Sequence, residues 1–415
     1  MDPGSMVHAF EWTTKELFVY PNEAIYWSVQ IVMYPFMTGL VAGAFVLSSL
    51  YHVFGQKDLE KLARFSLVFS LALLPVAGMP LLLHLQQPFR AINPMLTPHF
   101  TSAIAAFGIV FSGYGVIVLS EIWFVYRNFF VEQINELRYA YGAVNRLKRF
   151  TYHILTLGAY DVSDHALAID RKAVRVLSAI GVPIACFLHG YAGFIFGSVK
   201  ANALWMSPLM PVIFIMSAIV SGIALCLITY IVIMEWQKHK ATSATGGGYR
   251  AKTEIGGVEI DVVHKATRYL IAFLVTAIAL EFLDLIFRGY TAMKSWDILR
   301  TVMYEKDFIN IFVLQYGVGD LLPLAMLIMP RLTIRRTVIA SLLILFGVFM
   351  MRWNVVIGGQ AFSLSFSGFM HYNLPIIPHS IDTFKEGLFG AVLVMVMPFI
   401  IFWVINKIVP SMKYE

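Results

Sequence analysis

The chain is written in long apolar runs separated by shorter polar breaks. Nine runs reach the roughly 20 residues that a helix needs to cross a bilayer. They lie at about 25–51, 62–86, 100–126, 173–199, 208–236, 266–288, 308–330, 335–353 and 386–408. Lipid cannot satisfy an open strand edge, so each run is expected as a helix. The pattern predicts an all-α integral membrane protein with about nine transmembrane helices. The longest break, 127–172, sets Arg138, Arg146, Lys148 and Arg149 among Tyr139, Tyr141, Leu147 and Phe150. That is the pattern of an amphipathic helix lying on a membrane surface; a basic loop without a partner reads equally well. Segment 237–265 carries Gly246-Gly247-Gly248 and Gly256-Gly257, the composition of a flexible linker. Segment 354–385 is rich in Gly, Ser, Pro and aromatics and reads as a structured cap.

Composition agrees with membrane insertion: 59% of residues are hydrophobic and 13% charged, against about 25% charged in soluble proteins. Cys186 and Cys226 both sit in apolar runs. Two cysteines cannot supply the four thiolates of an iron–sulphur cluster, and they make no disulphide framework. Loops and helix ends on the N-terminal side hold nine basic residues: Lys15, Arg90, Lys200, Arg288, Lys294, Arg300, Lys306, Arg352 and Lys385. The opposite side holds the other 22 of the 31. The positive-inside rule then puts the N-terminal segment 1–24 outside and the C-terminus in the cytoplasm. It also accounts for the net charge of +6 without nucleic acid. Glu11, Lys15 and Glu16 give the first residues the wrong charge pattern for a cleavable signal peptide.

Residues Gly181 to Leu225 read as two helices joined by a turn. The first carries His189 and Tyr191, the turn Asn202, Trp205 and Pro208. The second carries Ser217, Ala218, Ser221 and Gly222, a small-residue seam that lets helix backbones approach. Thr38-Gly39-x-x-x-Gly43-Ala44 parallels Ser217-Ala218-x-x-x-Gly222-Ile223. His84-Leu85 before Arg90 has a partial echo in Asp284-Leu285 before Arg288. Two duplicated four-helix units account for both echoes; chance likeness between apolar segments is the competing account.

Four groups of residues also carry a resemblance. They are Thr38-Gly39 with Gly43-Ala44; His84-Leu-Gln-Gln-Pro88-Phe-Arg90; Trp205-Met-Ser-Pro208 with Pro211, Phe214, Ser217-Ala218 and Ser221-Gly222; and Arg352-Trp353-Asn354 with Gly358-Gly359-Gln360. In this order and spacing the chain, from about residue 30 to 360, resembles the NrfD/polysulphide-reductase membrane-subunit family. Its members are quinone-interacting anchors of bacterial respiratory complexes. Within the family it looks most like the membrane subunits of menaquinone-reductase complexes. The resemblance implies two four-helix bundles, 25–199 and 208–353, with segment 386–415 as an additional helix and tail. It implies menaquinone as the bound cofactor, no haem and no metal in this chain, and a bacterial inner membrane. The implied partners are a ferredoxin-like iron–sulphur subunit on the periplasmic face, a molybdopterin-family subunit and a multihaem cytochrome c.

Ionisable groups inside a membrane cost roughly 2.5–3.5 kcal/mol each on insertion scales and mark candidate sites. The quinone candidates are His84, His189, Tyr114 and Tyr191. Histidine exchanges hydrogen bonds with a carbonyl and titrates near neutrality. The bland readings are an interfacial histidine at 84, a satisfied core histidine at 189 and packed aromatics at 114 and 191. His189 and Tyr191 are about 200° apart on one helix and cannot share a face. The proton-path candidates are Glu121, Glu235, Glu281, Asp284, Asp320 and Arg352. Glu281, Asp284 and Arg288 line one helix face, as a relay or as a structural ion pair. Arg352 is a candidate counter-ion for Asp284 or Asp320. Glu121 is near enough in sequence to pair with Arg127, and Glu235 reads also as an interfacial charge. A secondary transporter or channel is the alternative class, since duplication and midplane acids occur there too. A di-haem anchor would need His84 and His189 to face each other.

Overall fold

The computed structural model describes residues 24–99, 101–139, 141–200, 202, 204–244, 260–290, 296–362 and 369–411. The N-terminal segment before residue 24, the glycine-rich part of the 237–265 linker and residues 363–368 of the cap lie outside them. Among the described residues, nine helices are long and apolar enough to cross a membrane. They are α1 Val29–His52, α2 Lys57–His84, α3 Ala105–Tyr139, α4 Asp164–Gly197, α5 Met210–His239, α6 Ile260–Tyr290, α7 Ile309–Ile328, α8 Ile334–Gln360 and α9 Leu388–Ile405. The protein is an all-α integral membrane protein.

Local chemistry sets the helix ends. The Ser28 hydroxyl accepts from the Gln30 amide at 3.3 Å, and the Thr333 hydroxyl from the Arg336 amide at 3.3 Å; each satisfies a donor that a helix start leaves orphaned. α2 is interrupted at Gly78, after which Pro80 opens the short helix Met79–His84. α7 is π-helical from Ile309 to Leu321 before returning to α-helix. Wide turns of this kind cluster at functional sites.

Helix contacts group α1 with α2 and α4, α3 with α2 and α4, α5 with α6 and α8, and α7 with α6 and α8. The groups meet where α1 packs on α5 and α8, and α4 on α5. α9 lies on α2 and α1. α1 and α5 begin on the same side, so the two groups run parallel. They cross at Gly43 and Gly222. A Cβ on Gly43 would strike the Ala218 carbonyl and Gly222 Cα; one on Gly222 would strike Gly43 Cα and the Ala44 amide. Only glycine allows this approach. α7 and α8 cross the same way at Gly319 and Gly347.

The expected 127–172 break is mostly helix. α3 runs on to Tyr139 and α4 starts at Asp164, because Arg127 and Asp170 form a buried ion pair of 2.6 Å between the two extensions. Between them helix Ala143–Leu155 turns Tyr152 inward, where its hydroxyl donates to the Ile408 carbonyl at 3.2 Å. Val144, Leu147, Phe150 and Ile154 are exposed, the disposition of a surface helix with its apolar face available to lipid. On the other side the cap packs on the start of α1: the Ile25 amide donates to the His371 carbonyl at 2.9 Å and the Val29 amide to the Tyr372 hydroxyl at 2.9 Å.

Candidate functional site

Three polar clusters are buried or half-buried in the half of the molecule where α1 begins. The first is at the ends of α1 and α2. His84 Nδ1 stands 3.0 Å from the Ser28 hydroxyl and 3.3 Å from the Glu386 carboxylate. Ser28 caps α1, His84 closes α2, and Glu386 ends the short helix Ile381–Glu386 that leads into α9. The His84 side chain keeps part of its surface open. Beside it the connection to α3 carries Phe89, 96% exposed, and Leu96, 73% exposed.

The second cluster joins the bundles. Arg352 is fully buried. Its Nη2 donates to the Ser217 hydroxyl at 2.8 Å and to His189 Nε2 at 2.9 Å, and its guanidinium lies 3.7 Å from the centre of the Phe214 ring. His189 Nδ1 stands 3.5 Å from the Thr38 hydroxyl. Thr38 and Ser217 belong to the two small-residue seams, so the seams hold the site as well as the crossing.

The third cluster is in the second bundle. Asp284 takes the Arg288 Nε–H at 2.8 Å and a short bond from the Ser207 hydroxyl. Glu281 accepts from Gln315 Nε2 at 2.7 Å, and Gln315 in turn accepts from Asn354 Nδ2 at 2.8 Å. Asn354 Nδ2 reaches the Asn310 carbonyl at 3.2 Å, and Asn310 Nδ2 donates to Asp307 at 3.0 Å. This chain of contacts runs from the interior to the surface where α7 begins. One carboxylate oxygen each of Asp307 and Asp320, and the Asn354 carbonyl oxygen, are buried without a partner among the described residues. Asp307 lies outside the spans. Burial pushes its carboxyl above the ordinary range, a shift that the Asn310 hydrogen bond and the Lys306 ammonium oppose.

The match to known proteins follows the same stretch of chain. Residues 20–364 match the family described as polysulphide reductase, NrfD. The chain belongs to the NrfD family. A selenate reductase subunit of Mesobacillus selenatarsenatis is 35% identical over 214 residues, 49% of this chain and 47% of that protein. The match therefore spans about half of that relative. A putative dimethyl sulfoxide reductase membrane subunit of Halobacterium salinarum is 26% identical over 357 residues, 85% of this chain and 71% of that protein. Protein NrfD of Escherichia coli is 23% identical over 262 residues, 61% of this chain and 72% of that protein.

In this NrfD-family chain the four quinone candidates fall in separate surroundings. His84 meets Ser28 and Glu386. His189 has both ring nitrogens engaged between the bundles. Tyr191, on the other face of α4, packs among Phe107, Phe187 and Phe194. Tyr114 is buried edge-on against Phe45, its hydroxyl without a partner among the described residues.

The proton-path candidates also divide. Arg352 is not the counter-ion of Asp284 or Asp320: Arg288 takes Asp284, and Arg352 donates to neutral partners. Glu121 does not pair with Arg127, which Asp170 has claimed; it accepts from the Ser178 hydroxyl at 2.7 Å. Glu235 is half-exposed and 4.0 Å from Lys238. The described hydrogen bonds do not join Glu235 to Asp320; they lead from Glu281 the other way, through Gln315, Asn354 and Asn310. Those three amides, with Asp307 and Glu386, are what a search for ionisable groups inside apolar runs passes over. The signal that could have found them is a set of amides recurring in α7 and α8.

The two helix groups place similar contacts near the starts of α1 and α5. Ser28 precedes α1 and touches His84 at the end of α2; Ser207 precedes α5 and touches Asp284 near the end of α6. Ser28 stands as far before Gly43 as Ser207 stands before Gly222.

Proposed function

We propose that this chain is the quinone-binding membrane subunit of a respiratory oxidoreductase complex, exchanging electrons between a periplasmic iron–sulphur subunit and menaquinone. The observation that carries the reading is His84, held between the Ser28 hydroxyl and the Glu386 carboxylate at one membrane face. Family membership supports it, as do relatives named as subunits of selenate and dimethyl sulfoxide reductases. The residues fit a quinone head: an imidazole with a carboxylate behind it, partly open, beside exposed apolar side chains. Menaquinone supplies two-electron, two-proton chemistry when bound. His84 would hold a quinone carbonyl by a hydrogen bond from Nε2 and supply a proton there, and Glu386, beside Nδ1, would restore it. Ser28 fixes the imidazole plane.

In this reading the side where α1 begins is periplasmic, which the distribution of basic residues supports. The electron partner is a ferredoxin-like iron–sulphur subunit on that face, with a molybdopterin-family subunit and a multihaem cytochrome c beyond it. The chain itself holds no haem and no metal. Glu281 and Asp320 hold protons in the second bundle, and Gln315, Asn354 and Asn310 mark a polar line from Glu281 to Asp307 toward the periplasmic face. Moving a charge across the membrane is worth about 2.3 kcal/mol per 100 mV.

The test is purification of the chain with its native partners, identification of the co-purifying redox subunits, and reconstitution in liposomes. Quinone reduction is expected to build a membrane potential, and Asp320→Asn to lower it with the complex assembled. A chain that purifies without redox subunits and transports a solute alone would overturn the reading.

A further inference from the structure

We infer that α9 completes the quinone site and that a cleft beneath His84 seats the quinone's polyprenyl tail. The inference rests on the quinone reading above and extends it from the head to the chain behind it.

The polar trio comes from three elements at one level: Ser28 at the start of α1, His84 at the end of α2, and Glu386 just before α9. The same three helices line a cleft farther in. Phe36 and Leu40 come from α1, Leu73 from α2, and Met395 and Phe399 from α9, with Pro398 between them. α5 and α8 add one leucine each. The cleft is narrow, a cavity of about 30 Å³ that opens to the outside of the protein, and its walls are apolar. At 1.5 Å of rise per residue, Phe36 lies about 12 Å below Ser28, Met395 about 14 Å below Glu386 and Leu73 about 16 Å below His84. The three helices therefore agree on the depth, and the cleft sits under the trio. Pro398 lies inside α9, where it removes a backbone donor.

A polar site above an apolar cleft suits an amphiphile. Charge chooses which one. A phospholipid would bring its phosphate to the level of the Glu386 carboxylate, and like charges repel there. A quinone head is neutral and takes a hydrogen bond from an imidazole. Its prenyl chain, running down the seam of α2 and α9, ends in the cleft. α9 lies outside the two four-helix groups, so it gives a membrane subunit of this kind a wall that the bundles alone lack.

The test uses the full chain in phosphatidylcholine nanodiscs with two probes of the same ring, menaquinone-4 and the tail-free menadione. Menaquinone-4 is expected to bind the more tightly. Met395→Trp fills the cleft and is expected to weaken menaquinone-4 about tenfold while leaving menadione unchanged. His84→Gln is expected to weaken both. If Met395→Trp weakens both probes equally, or neither, the tail seat is wrong while the quinone reading stands. If neither probe binds the wild type, the quinone reading falls and the tail seat with it. A diazirine at the tail end gives a readout that needs no variant. Cross-links at Leu73, Met395 or Phe399 support the seat; cross-links confined to other helices, or preferential labelling of the cleft by a diazirine phospholipid, overturn it.

Discussion

Arg352 donates to His189 Nε2 at 2.9 Å, and that single contact fixes the imidazole's proton. A guanidinium has no acceptor, so Nε2 must be the bare nitrogen and the ring is neutral, with its hydrogen on Nδ1 toward Thr38. His189 is thus a strut between helices of both bundles. Arg352→Ala should leave His189 and Ser217 without a donor and open a void, at a cost of about 2–5 kcal/mol. Arg352→Lys should recover little, because one ammonium does not reproduce the planar fork over Phe214. Thermal unfolding of the purified variants checks both; a lysine variant as stable as the wild type would count against the strut.

At His84 the expectation is different, because the residue is placed for proton transfer. His84→Ala should lower quinone turnover about 100-fold with thermal stability nearly unchanged. Glu386→Gln keeps the shape and should give a smaller loss, together with a changed pH profile of turnover. Unchanged turnover in His84→Ala would move the site elsewhere.

Asp307 gives a pH signature of stability. Its carboxyl is raised above the ordinary 3.8 by burial. A raised carboxyl favours the protonated folded state, so its contribution is complete below the unfolded value and is lost as pH rises through the folded one. Asp307→Asn should therefore be more stable than the wild type at about pH 7 and equal to it at about pH 3. Melting curves across that window decide it: a constant difference between the two proteins at every pH would show that Asp307 does not titrate there.

The bundle crossing is predicted to be intolerant of any side chain. Gly43→Leu or Gly222→Leu should prevent recovery of folded protein, since the obstructing atoms are backbone. Gly115→Ala, where the nearest atom would be Leu74 Cδ2 at an ordinary 3.6 Å, should change stability by no more than about 0.5 kcal/mol. Yield and monodispersity in detergent separate the two cases.

The nine spans were legible because a bilayer imposes a length and an apolar composition on every crossing. Gly43 and Gly222 were legible as a seam because small residues leave a repeating gap. Their contact with one another was not, since spacing within a helix does not say which helix answers it. His84 was legible as an ionisable side chain at the end of an apolar run, but its partner Glu386 lies far along the chain. Arg352 was assigned the wrong partner for a related reason: sequence shows a charge and its rough depth, and leaves open which neighbour turns toward it. The polar contacts through Asn310, Gln315 and Asn354 depend on the π-helical stretch of α7, whose altered turn shifts which residues face inward and breaks the 3.6-residue period used to read faces.

Gly43 resting on Gly222 has one more meaning. When equivalent points of two like units touch each other, the surface is self-complementary, which is the rule at the axis of a symmetric homodimer. Such a surface needs a small residue on both partners, so a change on one helix is not offset by a change on the other. The serines that precede these two glycines by the same number of residues meet different partners. One pair is Ser28 with His84, partly open; the other is Ser207 with Asp284, closed by Arg288. A single chain permits that division of labour, because a homodimer carries the same site on both sides of its axis and one chain can leave one site open and close the other.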